Sequence, residues 1–153
     1  MEAGDITRCI WVRTQTRDNR WSLEALNQAG ITEESVALRL KTTHHGWVCE
    51  HAGQIVGFSM CDRSNGEFWV VAVLPDYEGR GIGTELVQRG QQWLHDQGWE
   101  EIWLWTSPDQ STRACRLYRR LGWRDCGIED GQLIMRRTKS AAGEPPAVAG
   151  SPP

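Results

Sequence analysis

Residues 71–87 read VAVLPDYEGRGIGTELV, and the reading of this stretch decides the fold. An apolar run, Phe68 to Leu74, ends at Pro75, and a loop carrying Gly79, Gly81 and Gly83 follows. Ile82, Leu86, Gly90, Trp93 and Leu94 then recur at helical spacing up to Gly98. The run lacks polar alternation, which predicts a central strand covered on both faces. A strand, a glycine loop and a helix start can together hold a phosphate on free backbone N–H groups and the positive end of the helix.

Two familiar phosphate loops fail here. A nucleotide-hydrolysing loop needs Lys directly after its last glycine, and the chain contains no Gly-Lys pair. The dinucleotide fingerprint needs glycine at the sixth position, which is Thr84 or Leu86 when counted from Gly79 or Gly81. Two readings stay open. The segment is a plain loop and helix start, or it holds phosphates that are a handle and are never transferred, as in coenzyme A.

A chain of 153 residues has room for one domain with a real core. A net charge of -3 gives no reason to expect a nucleic-acid or membrane-surface partner. No apolar run approaches the length of a membrane span, and the N-terminus lacks a basic start and an apolar core segment, so a cytoplasmic protein is expected. The five cysteines, Cys9, Cys49, Cys61, Cys115 and Cys126, stand singly without C-x-x-C spacing. They are expected as small core residues, with no metal site. Residues 139–153, rich in Pro, Ala and Gly, are expected to be a disordered tail behind a folded domain of residues 1–138.

Outward from the glycine loop, RCIWVRTQT predicts a first strand through alternating Ile10 and Val12. RWSLEALNQAG predicts a short helix, and TEESVALRLKTTHHG a second one capped by Thr32 and stopped by Gly46. Three strands follow, with Asn65-Gly66 as a hairpin turn in which both residues tolerate positive φ. After the glycine-loop helix come a strand (EEIWLWTS), a helix (QSTRACRLYRRLG) and a closing hairpin that turns near EDG. The order β-α-α-β-β-β-α-β-α-β-β predicts an α/β domain.

VAVLPDYEGRGIGTELV followed by STRACRLYRRLGW resembles the GNAT superfamily of N-acetyltransferases, over nearly all of residues 6–138. The resemblance implies the GNAT fold, a mixed central β-sheet flanked by helices on both faces, and acetyl-CoA as co-substrate. In that family Q/R-x-x-G-x-G/A binds the pyrophosphate. Gly81 and Gly83 fill its glycine positions, and Glu78 departs from its first one. Arg80 supplies a nearby positive charge, Glu78 is expected to face solvent, and the amides of Arg80, Gly81, Ile82, Gly83 and Thr84 are expected to bind the phosphates.

The implied chemistry sets further requirements. A lysine-like amine with a pKa of about 10.4 costs about 4–5 kcal/mol to present neutral at pH 7. Glu67 matches the position of a general base in some family members; the plainer reading is a solvated residue beside a turn. The resemblance implies a splayed or bulged central strand here, so that backbone N–H groups of Ala72, Val73 and Leu74 would meet the oxyanion and the pantetheine arm. Tyr118 matches the tyrosine that protonates the departing thiolate, a transfer uphill by about 2 kcal/mol between a thiol and a phenol of ordinary pKa; alternatively it is a core residue. Ser111 falls where relatives place a contact to the coenzyme arm, or it only caps a helix. Arg113, Arg116, Arg119 and Arg120 offer contacts to the 3′-phosphate or form a solvated face. Trp103 and Trp105 share one side of a strand and, with Trp21, Trp47 and Trp69, suggest an aromatic acceptor pocket. His44 and His45 are given no role.

The function expected is transfer of an acetyl group from acetyl-CoA to a primary amine of a small molecule, by direct attack in a ternary complex. Its rivals are a protein N-terminus or lysine as acceptor, and a non-catalytic acyl-CoA sensor. The oligomeric state is left open, a homodimer included.

Overall fold

The computed structural model describes residues 1–18 and 20–139. The expected tail falls on residues 140–153, outside the described residues. Lys139 still belongs to the fold, since its N–H donates to the Glu100 carbonyl at 2.8 Å.

After a short 3-10 turn come α1 (Ile6–Thr14), α2 (Leu23–Gln28), α3 (Glu33–Thr42), β1 (His44–His51), β2 (Gln54–Asp62) and β3 (Glu67–Val73). A second 3-10 turn leads into α4 (Ile82–Asp96), β4 (Glu101–Thr106), α5 (Arg113–Arg120), β5 (Arg124–Glu129) and β6 (Gln132–Thr138). The six strands form one mixed sheet in the order β1-β2-β3-β4-β6-β5, with β3 and β4 parallel at its centre.

The expected first strand is wrong: residues 6–14 are helix α1. Ile6, Cys9 and Val12 are its buried residues, a three-residue repeat that only a helix puts on one face. The alternation of Ile10 and Val12 covered too few residues to outweigh it. Helix α3 begins as expected at Thr32, in a capping box with Ser35 (Ser35 N–H to Thr32 Oγ1 3.1 Å). It ends at Thr42, however, and Gly46 lies inside β1, paired with Met60. In the hairpin turn only Gly66 takes positive φ, at 78°. Of the cysteines, Cys9, Cys61 and Cys115 are buried, whereas Cys126 is exposed on β5.

Two cores sandwich the sheet. On one face α4 and α5 bring Val87, Leu94, Cys115 and Tyr118 against Phe68, Ile102 and Leu104. On the other, α1 and α3 bring Ile6, Cys9, Val12 and Val36 against Phe58, Met60 and Ala72. Helix α4 rides close to the sheet at Gly90, where a Cβ would stand 2.5 Å from Phe68 Cε2 and 2.8 Å from Cys61 Sγ. Gly90→Ala is therefore expected to lower stability by roughly 1–3 kcal/mol, because overpacking outweighs the gain in helix propensity. A urea midpoint equal to that of the parent would show that α4 can ride away from the sheet.

Two irregularities in the central strands position the site. The β2–β3 register steps from Met60 opposite Val70 to Cys61 opposite Phe68, so Trp69 is the extra residue of a bulge. Trp69 and Val70 thus both pack on the α1/α3 face, while Val71 packs on the other. Strands β3 and β4 pair only at Glu67 and Trp103, and beyond that point the ladder between them is broken and they splay apart.

Candidate active site

The splay opens a cleft of about 340 Å³ between β3, the glycine loop and α5. Its floor is the free edge of β3. Leu74 N–H is already spent on the Val56 carbonyl at 2.9 Å, and strand alternation turns the Ala72 N–H to β2 as well. The same alternation aims Val71 and Val73 at the open side. Of the three amides expected there, Val73 alone remains, and Val71 joins it.

At one end Gly81 adopts φ 83°, a left-handed conformation that suits glycine, and serves as the N-cap of α4. The first-turn N–H groups of Ile82, Gly83 and Thr84 have no intrahelical acceptor, and Gly81 has no side chain to cap them with. Gly81, Gly83 and Thr84 line the cleft. Arg80 does not: its guanidinium lies 4.9 Å over the Tyr77 ring and reaches the Asp76 carbonyl. The Ile82 side chain packs toward Gly57 of β2.

Glu78 is not turned to solvent as expected. It lines the cleft with its side chain 16% exposed, and its Oε2 is 3.2 Å from Arg17 Nε and 3.3 Å from Arg113 Nε. Two guanidinium groups overcome the tendency of a carboxylate to seek water. Arg13, Arg17, Arg113, Arg116 and Arg120 line the cleft against two carboxylates, Asp18 and Glu78. A chain of net charge -3 therefore presents a cationic cleft. Arg119 is no part of it, being bonded to Gln110 and to Asp125 Oδ2 at 2.8 Å.

Tyr118 forms the inner wall. Its ring packs against Phe68 and Trp123, with centroids 6.4 and 6.0 Å away. The residue is 6% exposed, and burial pushes the phenol pKa up. Ser111 stays outside: its hydroxyl donates to Asp109 Oδ1 at 2.7 Å, and Thr112 is the residue that caps α5.

Glu67 is neither a cleft-lining residue nor a solvated one. It is 9% exposed, and burial raises its pKa. Hydrogen bonds from the Asn65 side chain and Trp105 act in the opposite direction. Trp105 lines the cleft and also a second, apolar pocket of about 90 Å³ on the α1/α3 face, walled by Trp21, Trp69, Leu26, Ile31 and Phe58. Trp69 is braced edge-on by His44 at 4.9 Å, whose ring burial keeps toward its neutral form. Trp47 is not in this pocket. It packs on the opposite face with His45 and Trp93. Trp103 turns its indole N–H to the Asn65 carbonyl at 3.0 Å.

Sequence reasoning missed Arg17 and Asp18, and it put the irregularity of the central strand around Ala72 to Leu74, whereas the bulge falls at Trp69. No local signal marks the first two, which reach the cleft from a loop about sixty residues away. Among the described residues no helix is long and apolar enough to cross a membrane.

Comparison with known proteins matches a family model described as the acetyltransferase (GNAT) family to residues 7–123. A Methanocaldococcus jannaschii protein described as an uncharacterized N-acetyltransferase is 33% identical over 98 residues, covering 58% of this chain and 43% of that protein. A mycothiol acetyltransferase of Actinosynnema mirum is 32% identical over 122 residues, covering 73% of this chain and 39% of that one. The chain thus spans less than half the length of these relatives. Among solved structures, the PaiA N-acetyltransferase from Thermoplasma acidophilum in complex with coenzyme A superposes with a TM-score of 0.76 at 16% identity, covering 91% of this chain and 96% of that one. The ribosomal-protein-S18-alanine N-acetyltransferase from Escherichia coli gives 0.70 at 22% identity, covering 94% of each. These two likenesses establish a shared fold.

Proposed function

The chain belongs to the GNAT acetyltransferase family, and from that premise we propose that it moves an acetyl group from acetyl-CoA to a primary amine of a small molecule. The observation that carries the reading is the splay of β3 from β4, which leaves a free strand edge inside a cationic cleft. A thioester laid along that edge would find the Val71 and Val73 amides for its carbonyl oxygen. Its phosphates would reach the uncapped first turn of α4. Coenzyme A needs no metal for this.

In the proposed reaction a neutral amine attacks the thioester carbonyl, and the C–N bond forms as the oxyanion is held by the strand amides. Collapse breaks the C–S bond, and Tyr118 gives its proton to the leaving sulfur. Glu67 accepts the amine's proton through water, from its place behind Trp105. Direct transfer fits the cysteines, since none of the three buried thiols stands among the lining residues of the cleft.

The small-molecule acceptor is supported by the apolar pocket, which adjoins the cleft through Arg13, Trp69, Val70 and Trp105. A compact apolar body seated between Trp21, Trp69 and Trp105 would direct its amine toward the thioester.

Titration calorimetry with acetyl-CoA, using NADH and ATP as controls, tests the reading. Micromolar binding of acetyl-CoA alone, followed by thiol release with an amine panel, is the expected outcome. Absence of acetyl-CoA binding would sink it, and binding without thiol release to any amine would leave a sensor in place of an enzyme.

A further inference from the structure

Glu78 occupies a position where a carboxylate beside phosphates should do harm, yet the fold draws it inward. Its Oε2 is shared by two guanidinium groups from distant parts of the chain, Arg17 after α1 and Arg113 at the start of α5. Both arginines meet it through Nε, which leaves their terminal nitrogens for a second anion. The Arg113 Nη2 lies 3.8 Å from where a Cβ on Gly79 would stand, so it faces the glycine loop. The arginine side chains are 61% and 51% exposed and the carboxylate only 16%, so the cations shield it from the cleft mouth. A second tie runs beside the first: Asp18 Oδ2 accepts the Arg113 backbone N–H at 3.0 Å.

We propose that Glu78 is a positioning residue, holding Arg17 and Arg113 as a cationic pair that receives the phosphates of the donor and tying the loop after α1 to the donor site. The inference rests on the coenzyme A reading above. A lone carboxylate here would repel a pyrophosphate. A carboxylate bracketed by two arginines leaves net positive charge in place and spares the donor the entropic cost of gathering two long side chains. Because the loop after α1 leads to Trp21 on the acceptor side, the same tie links the donor phosphates to the acceptor pocket.

The test is Glu78→Gln, which brings the residue closer to the Q/R of the family pattern. If Glu78 only repels phosphate, this change tightens acetyl-CoA binding. If Glu78 positions the two arginines, it weakens binding by about tenfold at low salt, the loss of a charge-assisted contact. The loss should shrink at high ionic strength. It should also be severalfold smaller in kcat/KM for S-acetylpantetheine, which carries the thioester and no phosphate. Arg17→Ala, on an exposed loop, repeats the test from the other end: adding it to Glu78→Gln should cost less than it costs in the parent.

Tighter or unchanged acetyl-CoA binding in Glu78→Gln overturns the proposal. So does an equal penalty on acetyl-CoA and S-acetylpantetheine, which a merely structural role would give. Failure of the parent protein to bind acetyl-CoA, seen before any variant is made, overturns the coenzyme reading and this proposal with it.

Discussion

Tyr118→Phe is expected to lower kcat by on the order of a hundredfold or more, with acetyl-CoA affinity and folding close to those of the parent. The ring is held by Phe68 and Trp123, and Phe keeps those contacts, so the change removes one hydroxyl from the wall of the cleft. Burial raises the phenol pKa, so Tyr118 keeps its proton across the working pH range. It is also a weaker acid than a free phenol. Burial of the phenol therefore adds to the roughly 2 kcal/mol mismatch between ordinary thiol and phenol pKa values. Steady-state kinetics beside calorimetry separate the outcomes. An unchanged kcat would leave Tyr118 as packing, and an equal loss of affinity would place its hydroxyl in donor binding.

The sequence made the middle of the fold legible because its signals there are local. An unbroken apolar run, an Asn-Gly turn and a three-glycine loop each act within a few residues, and β3, the hairpin and α4 follow from them. Helix α1 was misread because Ile10 and Val12 satisfy a two-residue repeat over too short a span, while the deciding burial of Ile6, Cys9 and Val12 comes from the sheet. The site was less legible for a related reason. Whether Glu78 faces water depends on Arg17 and Arg113, and whether the Leu74 amide is free depends on Val56. None of these three partners is near in sequence. The bulge at Trp69 shifts the rest of β3 by one face, so tryptophan spacing alone could not tell which of Trp47, Trp69, Trp103 and Trp105 share a pocket.

Glu67→Gln should separate activity from stability, moving them in opposite directions. The folded pKa of Glu67 lies above its ordinary value of 4.5, chiefly through burial, with Asp62 adding to it. Below pH 4.5 the carboxyl is protonated in both the folded and unfolded chains and costs nothing. As pH rises from there through the folded pKa, the unfolded chain sheds the proton more readily, so stability falls and stays lower at neutral pH. Glutamine cannot ionise. The variant is therefore expected to be at least as stable as the parent at pH 7.5, with an advantage that vanishes on acidification below pH 4.5, as urea midpoints at the two pH values would record. If Glu67 is the base, the same change should lower kcat/KM by on the order of a hundredfold and remove the acid limb of its pH profile, which in the parent reports the raised carboxyl. A carboxylate whose burial works against folding at neutral pH is a candidate for function. A more stable variant with undiminished turnover would deny Glu67 that function. Equal loss of stability and activity would instead make the carboxylate, with Asn65 and Trp105, part of the scaffold that holds the β2–β3 turn against β4.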